Sequence, residues 1–280
     1  MQSPSLSQDL PACLRPSASA IVGCEPLAAD LGRAGLLVLH GFTGSPWEVR
    51  PLAEAARSLG FSVALPVLAG HATHVDDLAD KRWPDWLASA LEAHVWLQAR
   101  CDRVHIAGLS MGALLALQIA RSGRQPPPRS LLLLAPAMTL APEVDAFVRA
   151  ASRLGWPRRV GKGDPRLPGG LRPPAYGAIP LRAARSLLAL MDEVLADRTA
   201  LAMPALSLHG EADATIPCER AQRLLAPLLG PQGLKVRVPD AGHLLLRTAQ
   251  GEAVLRRCVL ALQTLEPYGP DAPGKSPRRV

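Results

Sequence analysis

Two kinds of apolar pattern alternate along the chain. Short unbroken runs recur at Gly35–His40, Phe61–Leu65, Arg103–Ala107, Leu131–Leu134, Ala205–Leu208 and Leu234–Val238. Each has the length of a strand, and the most apolar lack polar alternation, as strands buried on both faces do. Between them lie longer stretches with apolar residues three and four apart: Trp47–Leu59, Trp83–Gln98, Met111–Ala120, Pro180–Ala196, Cys218–Leu229 and Ala249–Leu265. That spacing predicts helices with one buried face. Gly60 suits a helix C-terminus, Pro84 a first turn, and Pro126-Pro127-Pro128 ends the helix begun at Met111. Strands alternating with helices imply right-handed crossovers and an α/β fold with a doubly wound, mostly parallel sheet.

Three stretches depart from this rhythm. Residues 1–18 read as a mobile or loosely packed leader, with Ser19–Cys24 a candidate edge strand. Residues from about 137 to 179 are rich in Pro, Gly and Arg and carry no regular period. So long an irregular insertion in a compact domain predicts a lid or binding loop, here a small cap. Residues 267–280 read as a disordered tail, leaving residues 19–266 as one domain with the cap inside it.

Composition narrows the function. The 280 residues are 48% hydrophobic, enough for a substantial core. No apolar run reaches the roughly 18–20 residues that span a bilayer. The first twenty residues lack a basic stretch leading into an apolar one, so a cytoplasmic location is expected. The five cysteines are scattered without a Cys-x-x-Cys pair, which fits neither a disulfide framework nor a zinc site. The net charge is +7, yet Arg149 to Arg172 holds seven basic residues against Asp164 alone, nearly the whole excess. Aromatics are only 4%, so platforms for stacking nucleic-acid bases are lacking and no nucleic-acid partner is expected. Arg149, Arg153, Arg158 and Arg159 in that segment could meet anionic lipid surfaces; a solvated basic face is the plainer reading.

The chemistry centres on Gly108-Leu109-Ser110-Met111-Gly112. Placed between a buried run and a helix, it reads as a tight elbow that exposes a serine hydroxyl at the sheet's carboxyl edge. Serine is a weak nucleophile at neutral pH and needs a base held by a third group. The loops after the next strands offer both, in the order serine, acid, histidine: His209-Gly210-Glu211-Ala212-Asp213 and Asp240-Ala241-Gly242-His243. The assignment is Ser110 as nucleophile, His243 as general base and then acid, and Asp213 as the carboxylate orienting the imidazole. Glu211 and Asp240 are the rival acids. For the developing oxyanion, backbone donors are expected from Met111, at a helix N-terminus, and from Phe42 in His40-Gly41-Phe42-Thr43-Gly44.

Together with Ser45-Pro46 and Gly70-His71, these motifs resemble the α/β-hydrolase superfamily, and within it bacterial carboxylesterases and monoacylglycerol lipases with small caps. The likeness covers roughly residues 34–265. It implies hydrolysis of carboxylic esters through an acyl-enzyme on Ser110, with no metal or cofactor and with a small-molecule ester or lipid as partner. The Pro- and Arg-rich cap and Ala72-Thr73-His74 depart from the family pattern and leave the substrate open. Candidate substrate contacts are His71, His74 and Trp156. His40 is expected to structure the oxyanion loop, and His94, His105 and His209 to be surface or packing residues. Acyl transfer with the same triad is the second reading, and a non-catalytic binding module the third.

Overall fold

The computed structural model describes residues 9–154, 158–162, 170 and 172–266. In chain order, β1 (Leu27–Ala29) and β2 (Ala34–Leu39) lead to α1 (Arg50–Ser58), β3 (Ser62–Leu65), α2 (Val75–Ala79) and α3 (Trp83–Gln98). Next come β4 (Arg103–Leu109), α4 (Met111–Arg121), β5 (Leu131–Leu134), α5 (Pro142–Leu154), β6 (Arg159–Gly161) and β7 (Ala178–Pro180). The chain continues through α6 (Leu181–Ala196), β8 (Ala205–Gly210), α7 (Cys218–Leu225), β9 (Gly233–Val238) and α8 (Gly251–Leu265).

Seven strands form one sheet in the order β1-β3-β2-β4-β5-β8-β9. Only the β1–β3 pairing is antiparallel; the other five are parallel. The doubly wound, mostly parallel sheet is therefore present. Successive strand residues point to opposite faces, and the core divides accordingly. Leu37, Leu39, Leu131 and Leu133 join α3, α4 and α6 in one apolar layer. Leu36, Val38, Leu132 and Leu134 join α1 and α8 in the other. Burying each such leucine stabilises by about 1.5–3 kcal/mol, which explains why β5 is four leucines and nothing else.

The sheet leans on polar ties as well. Where β4 starts, Arg103 Nε donates to both carboxylate oxygens of Glu266 at 2.8 and 2.9 Å. His105 Nε2 stands 3.4 Å from the same carboxylate. Burial alone would raise the Glu266 carboxyl, but the His105 and Arg103 hydrogen bonds outweigh it and bring it down to about 2. All five cysteines are free and buried.

Three expectations need correction. Residues 19–24 form turns, and the sheet edge is β1 instead. Within the expected leader, of which residues 1–8 lie outside the described residues, Cys13 and Leu14 are buried and Val67 N donates to Cys13 O at 2.9 Å, so these two residues pack against the core. The insertion at 137–179 is not without period: it contains α5 and the antiparallel hairpin β6–β7. Among the described residues no helix is long and apolar enough to cross a membrane.

Candidate active site

The position of Ser110 follows from crowding. Ser110 joins β4 to α4 at φ 56°, ψ −115°, a conformation that L residues rarely adopt. Strain of this kind costs on the order of 1–3 kcal/mol and persists only where the surroundings over-determine it. Here they do. A Cβ on Gly108 would lie 2.3 Å from the Gly112 carbonyl carbon, and one on Gly112 would lie 2.3 Å from Leu39 O. The helix therefore crosses directly over the ends of β4 and β2, and Ser110 N donates to Leu134 O at 2.8 Å.

Asp213 and His243 lie on the loops after β8 and β9, at the same carboxyl edge of the sheet as Ser110. Backbone bonds fasten these loops together: Ala212 N donates to Ala241 O at 3.0 Å and Glu211 N to Val238 O at 3.0 Å. His243 Nδ1 and Asp213 Oδ2 are 2.7 Å apart. The other carboxylate oxygen, Oδ1, accepts Thr215 N and Ile216 N, each at 2.8 Å. Burial by itself would raise the Asp213 carboxyl. Hydrogen bonds from His209 and His243, the His243 charge and the Ile216 amide reverse this and hold it far below the usual carboxylate range. An ionised carboxylate accepts a hydrogen bond from His243 Nδ1–H and so selects the tautomer whose Nε2 carries the basic lone pair. Among the described residues no hydrogen bond links Ser110 Oγ to His243; such bonds often tighten only once substrate is bound. The rival acids Glu211 and Asp240 are exposed.

The loop after β2 abuts Ser110. An ideal Cβ on Gly41 would stand 3.3 Å from Ser110 Cβ. Phe42 follows, half-buried, with its ring 5.4 Å from Trp86 and 6.2 Å from His71. Met111 is the first residue of α4, where amides lack an intrahelical acceptor. His40 Nδ1 donates to Gly41 O at 2.9 Å while its Nε2 accepts Leu68 N at 3.2 Å. This fixes a neutral tautomer, and burial brings the imidazole down to about 4.

The remaining histidines separate. His71 is 1% exposed and donates from Nδ1 to Ala69 O at 3.1 Å, so it is walled into a cluster with His40, Phe42 and Trp86. His74 is exposed and spent on capping α2, accepting Asp76 N at 3.3 Å. Trp156 lies outside the described residues. His94, His105 and His209 are all buried. His209 does more than pack: its Nε2 reaches Ile216 O at 3.0 Å and Asp213 Oδ2 at 3.4 Å, a second imidazole on the Asp213 carboxylate. Among the described residues no three His, Cys, Asp or Glu side chains group as metal ligands.

Two cap residues at this edge carried no signal in the sequence. Tyr176 OH donates to Gly70 O at 2.8 Å and accepts Thr73 N at 3.1 Å. Lys162 Nζ donates to Thr43 Oγ1 at 2.7 Å. The expected basic face is partly neutralised, since Arg149 meets Asp145 and Asp192 and Arg159 meets Asp76. Arg153 and Arg158 are exposed.

Comparison with known proteins agrees with this architecture. Residues 36–257 match the profile described as the Alpha/beta hydrolase family. A thermostable monoacylglycerol lipase of Bacillus sp. (strain H-257) is 32% identical over 223 residues, 79% of this chain and 87% of that protein. A solved chain from work on LipS and LipT, two metagenome-derived lipolytic enzymes, superposes with TM-score 0.80 at 26% identity, covering 88% of this chain and 99% of its own. The monoacylglycerol lipase of Paleococcus ferrophilus shares the fold, with TM-score 0.69 at 18% identity over 86% of this chain and 99% of its own.

Proposed function

Because the chain belongs to the Alpha/beta hydrolase family, we propose that this lipase/esterase-type enzyme cleaves carboxylic esters of short- to medium-chain acyl groups, monoacylglycerols included, through an acyl-enzyme on Ser110. The observation that carries the reading is the 2.7 Å contact between His243 Nδ1 and the buried Asp213 carboxylate, at the sheet edge where Ser110 also sits. His243 Nε2 takes the Ser110 proton as Oγ attacks the ester carbonyl. The negative charge then moves to the carbonyl oxygen, which the Phe42 and Met111 amides stabilise as fixed dipoles. Collapse of this intermediate breaks the acyl–oxygen bond, and His243 returns the proton to the departing alcohol. A water then repeats the attack on the acyl-enzyme, releasing the acid and restoring Ser110.

The relatives named as monoacylglycerol lipases support the substrate class, and the acyl-length limit follows from measurement. Hydrolysis of p-nitrophenyl esters and monoacylglycerols of increasing acyl length is the direct test. Ser110→Ala is expected to reduce turnover by roughly 10⁵-fold or more while leaving the thermal midpoint near that of the parent. A Ser110→Ala protein that retains full activity sinks the reading.

A further inference from the structure

One cap side chain reaches the loop that faces the nucleophile. Lys162 follows β6, and its amide donates to Gly177 O at 3.0 Å, so its backbone is part of the cap hairpin. Its Nζ bonds Thr43, the residue after the oxyanion donor Phe42, held at φ 59° and 2% exposed. The same loop carries a carboxylate. Glu48, 6% exposed, accepts Gly41 N at 3.1 Å through Oε2. Its carboxylate fills the space that a Cβ on Gly44 would need, at 2.2 Å, so only glycine fits there. The loop 41–44 is thus held by a cap ammonium and by a core carboxylate at once.

The carboxylate poses an electrostatic problem. A Cβ on Gly41 would be 3.3 Å from Glu48 Oε2 and 3.3 Å from Ser110 Cβ, so the carboxylate lies within two such contacts of the nucleophile. Negative charge there opposes the negative charge that develops during attack. At roughly 7 Å and an effective dielectric constant near 20, one uncompensated charge alters a rate by on the order of tenfold to a hundredfold. Burial pushes the Glu48 carboxyl up, and what keeps it ionised against that push is the Lys162 charge first, then the Gly41 amide and the His243 and Arg247 charges. His243 is occupied by Asp213, and Arg247 lies over Trp47, its guanidinium 3.9 Å from the ring centre and bonded to Trp47 O. Lys162 is different: it is bonded to the loop itself, and Thr43 is the one described acceptor it meets.

We propose that Lys162 is a positioning residue that cancels the Glu48 charge across the oxyanion loop, so that the loop keeps its carboxylate anchor without slowing the reaction. The inference rests on the ester-hydrolase reading and adds a cap residue to it. It also makes cap placement a condition of turnover, because the compensating charge arrives from the hairpin.

The pair is tested by a double-mutant cycle in the full chain, measuring kcat and KM for p-nitrophenyl butyrate. Lys162→Met is expected to lower kcat about tenfold or more with a smaller change in KM, and Lys162→Arg to keep most of the activity. Adding Glu48→Gln to Lys162→Met is expected to recover most of the lost kcat, which a merely structural role for Lys162 would not allow. Should Lys162→Met fail to fold, Thr43→Val loosens the same ammonium, and its loss must likewise be recovered by Glu48→Gln. Unchanged kcat in Lys162→Met, or a double variant no faster than the single one, overturns the inference. Ser110→Ala run in parallel separates the cases: a Ser110-dependent parent enzyme indifferent to Lys162 loses only this inference, whereas an active Ser110→Ala removes the hydrolase reading itself.

Discussion

The elbow and the cap hairpin meet the same edge of the sheet, yet they are held there by opposite means. Around Ser110 almost every constraint is main chain against main chain: Gly108 against Gly112, Gly112 against Leu39 and His40, and Ser110 N on Leu134 O. The hairpin β6–β7 is secured by single long side chains, Lys162 on Thr43, Tyr176 on Gly70 and Thr73, and Arg159 on Asp76. Backbone crowding leaves no alternative conformation. Side-chain ties can be undone one at a time, so the second region is built to tolerate change that the first is not.

Breaking the rigid half should have the largest effects. Asp213→Asn leaves the loop shape in place but removes the charge that selects the His243 tautomer; turnover should fall on the order of 10⁴-fold in steady-state kinetics. A loss of under tenfold would assign the carboxylate's role elsewhere. Gly112→Ala adds a methyl that would sit 2.3 Å from Leu39 O and 2.7 Å from His40 O. A destabilisation of about 3 kcal/mol or more is expected from urea unfolding, and a stable variant would mean the backbone there can yield.

Acid should probe the histidine cluster beneath the oxyanion loop. His40 in that cluster is held down to about 4 by burial, and His94 on α3 likewise. Between the ordinary value near 6.5 and about 4, the unfolded chain binds protons that these folded imidazoles refuse. Stability is therefore full above pH 6.5 and declines as pH falls towards 4, by roughly 3 kcal/mol for His40 alone. Urea midpoints at pH 7 and pH 5 would show it, and equal midpoints would refute the assignment. The smallest effect belongs to the cap. Tyr176→Phe strips the Gly70 carbonyl and Thr73 amide of their shared partner, at about 1–2 kcal/mol. Limited proteolysis should then cut the cap sooner, with the core unchanged.

The same contrast explains what could be read from the residues alone. The elbow, both oxyanion-loop glycines and the loops bearing Asp213 and His243 were legible because each motif sits next to a strand whose apolar run announces it. The cap was less so. Val144, Phe147, Val148 and Ala151 are spaced as a helix requires, but Pro142 and the Pro-, Gly- and Arg-rich sequence around them obscured α5. The edge strand was misplaced because β1 has only three residues, all half-buried, with little contrast between its faces. Lys162 and Tyr176 meet partners more than a hundred residues away, and nothing local in the chain marks such a meeting. His209 reads from the chain alone as a surface or packing residue, and only the fold shows its Nε2 3.4 Å from Asp213 Oδ2.

The tie at the far end of β4 has a consequence for how the protein can be shortened. Glu266 receives Arg103 and stands beside His105, so the strand that leads into Ser110 at its carboxyl end is moored at its amino end by the residue just past α8. Trimming that removes Glu266 would strand the half-buried Arg103 guanidinium and cut the mooring line of the strand that leads into Ser110.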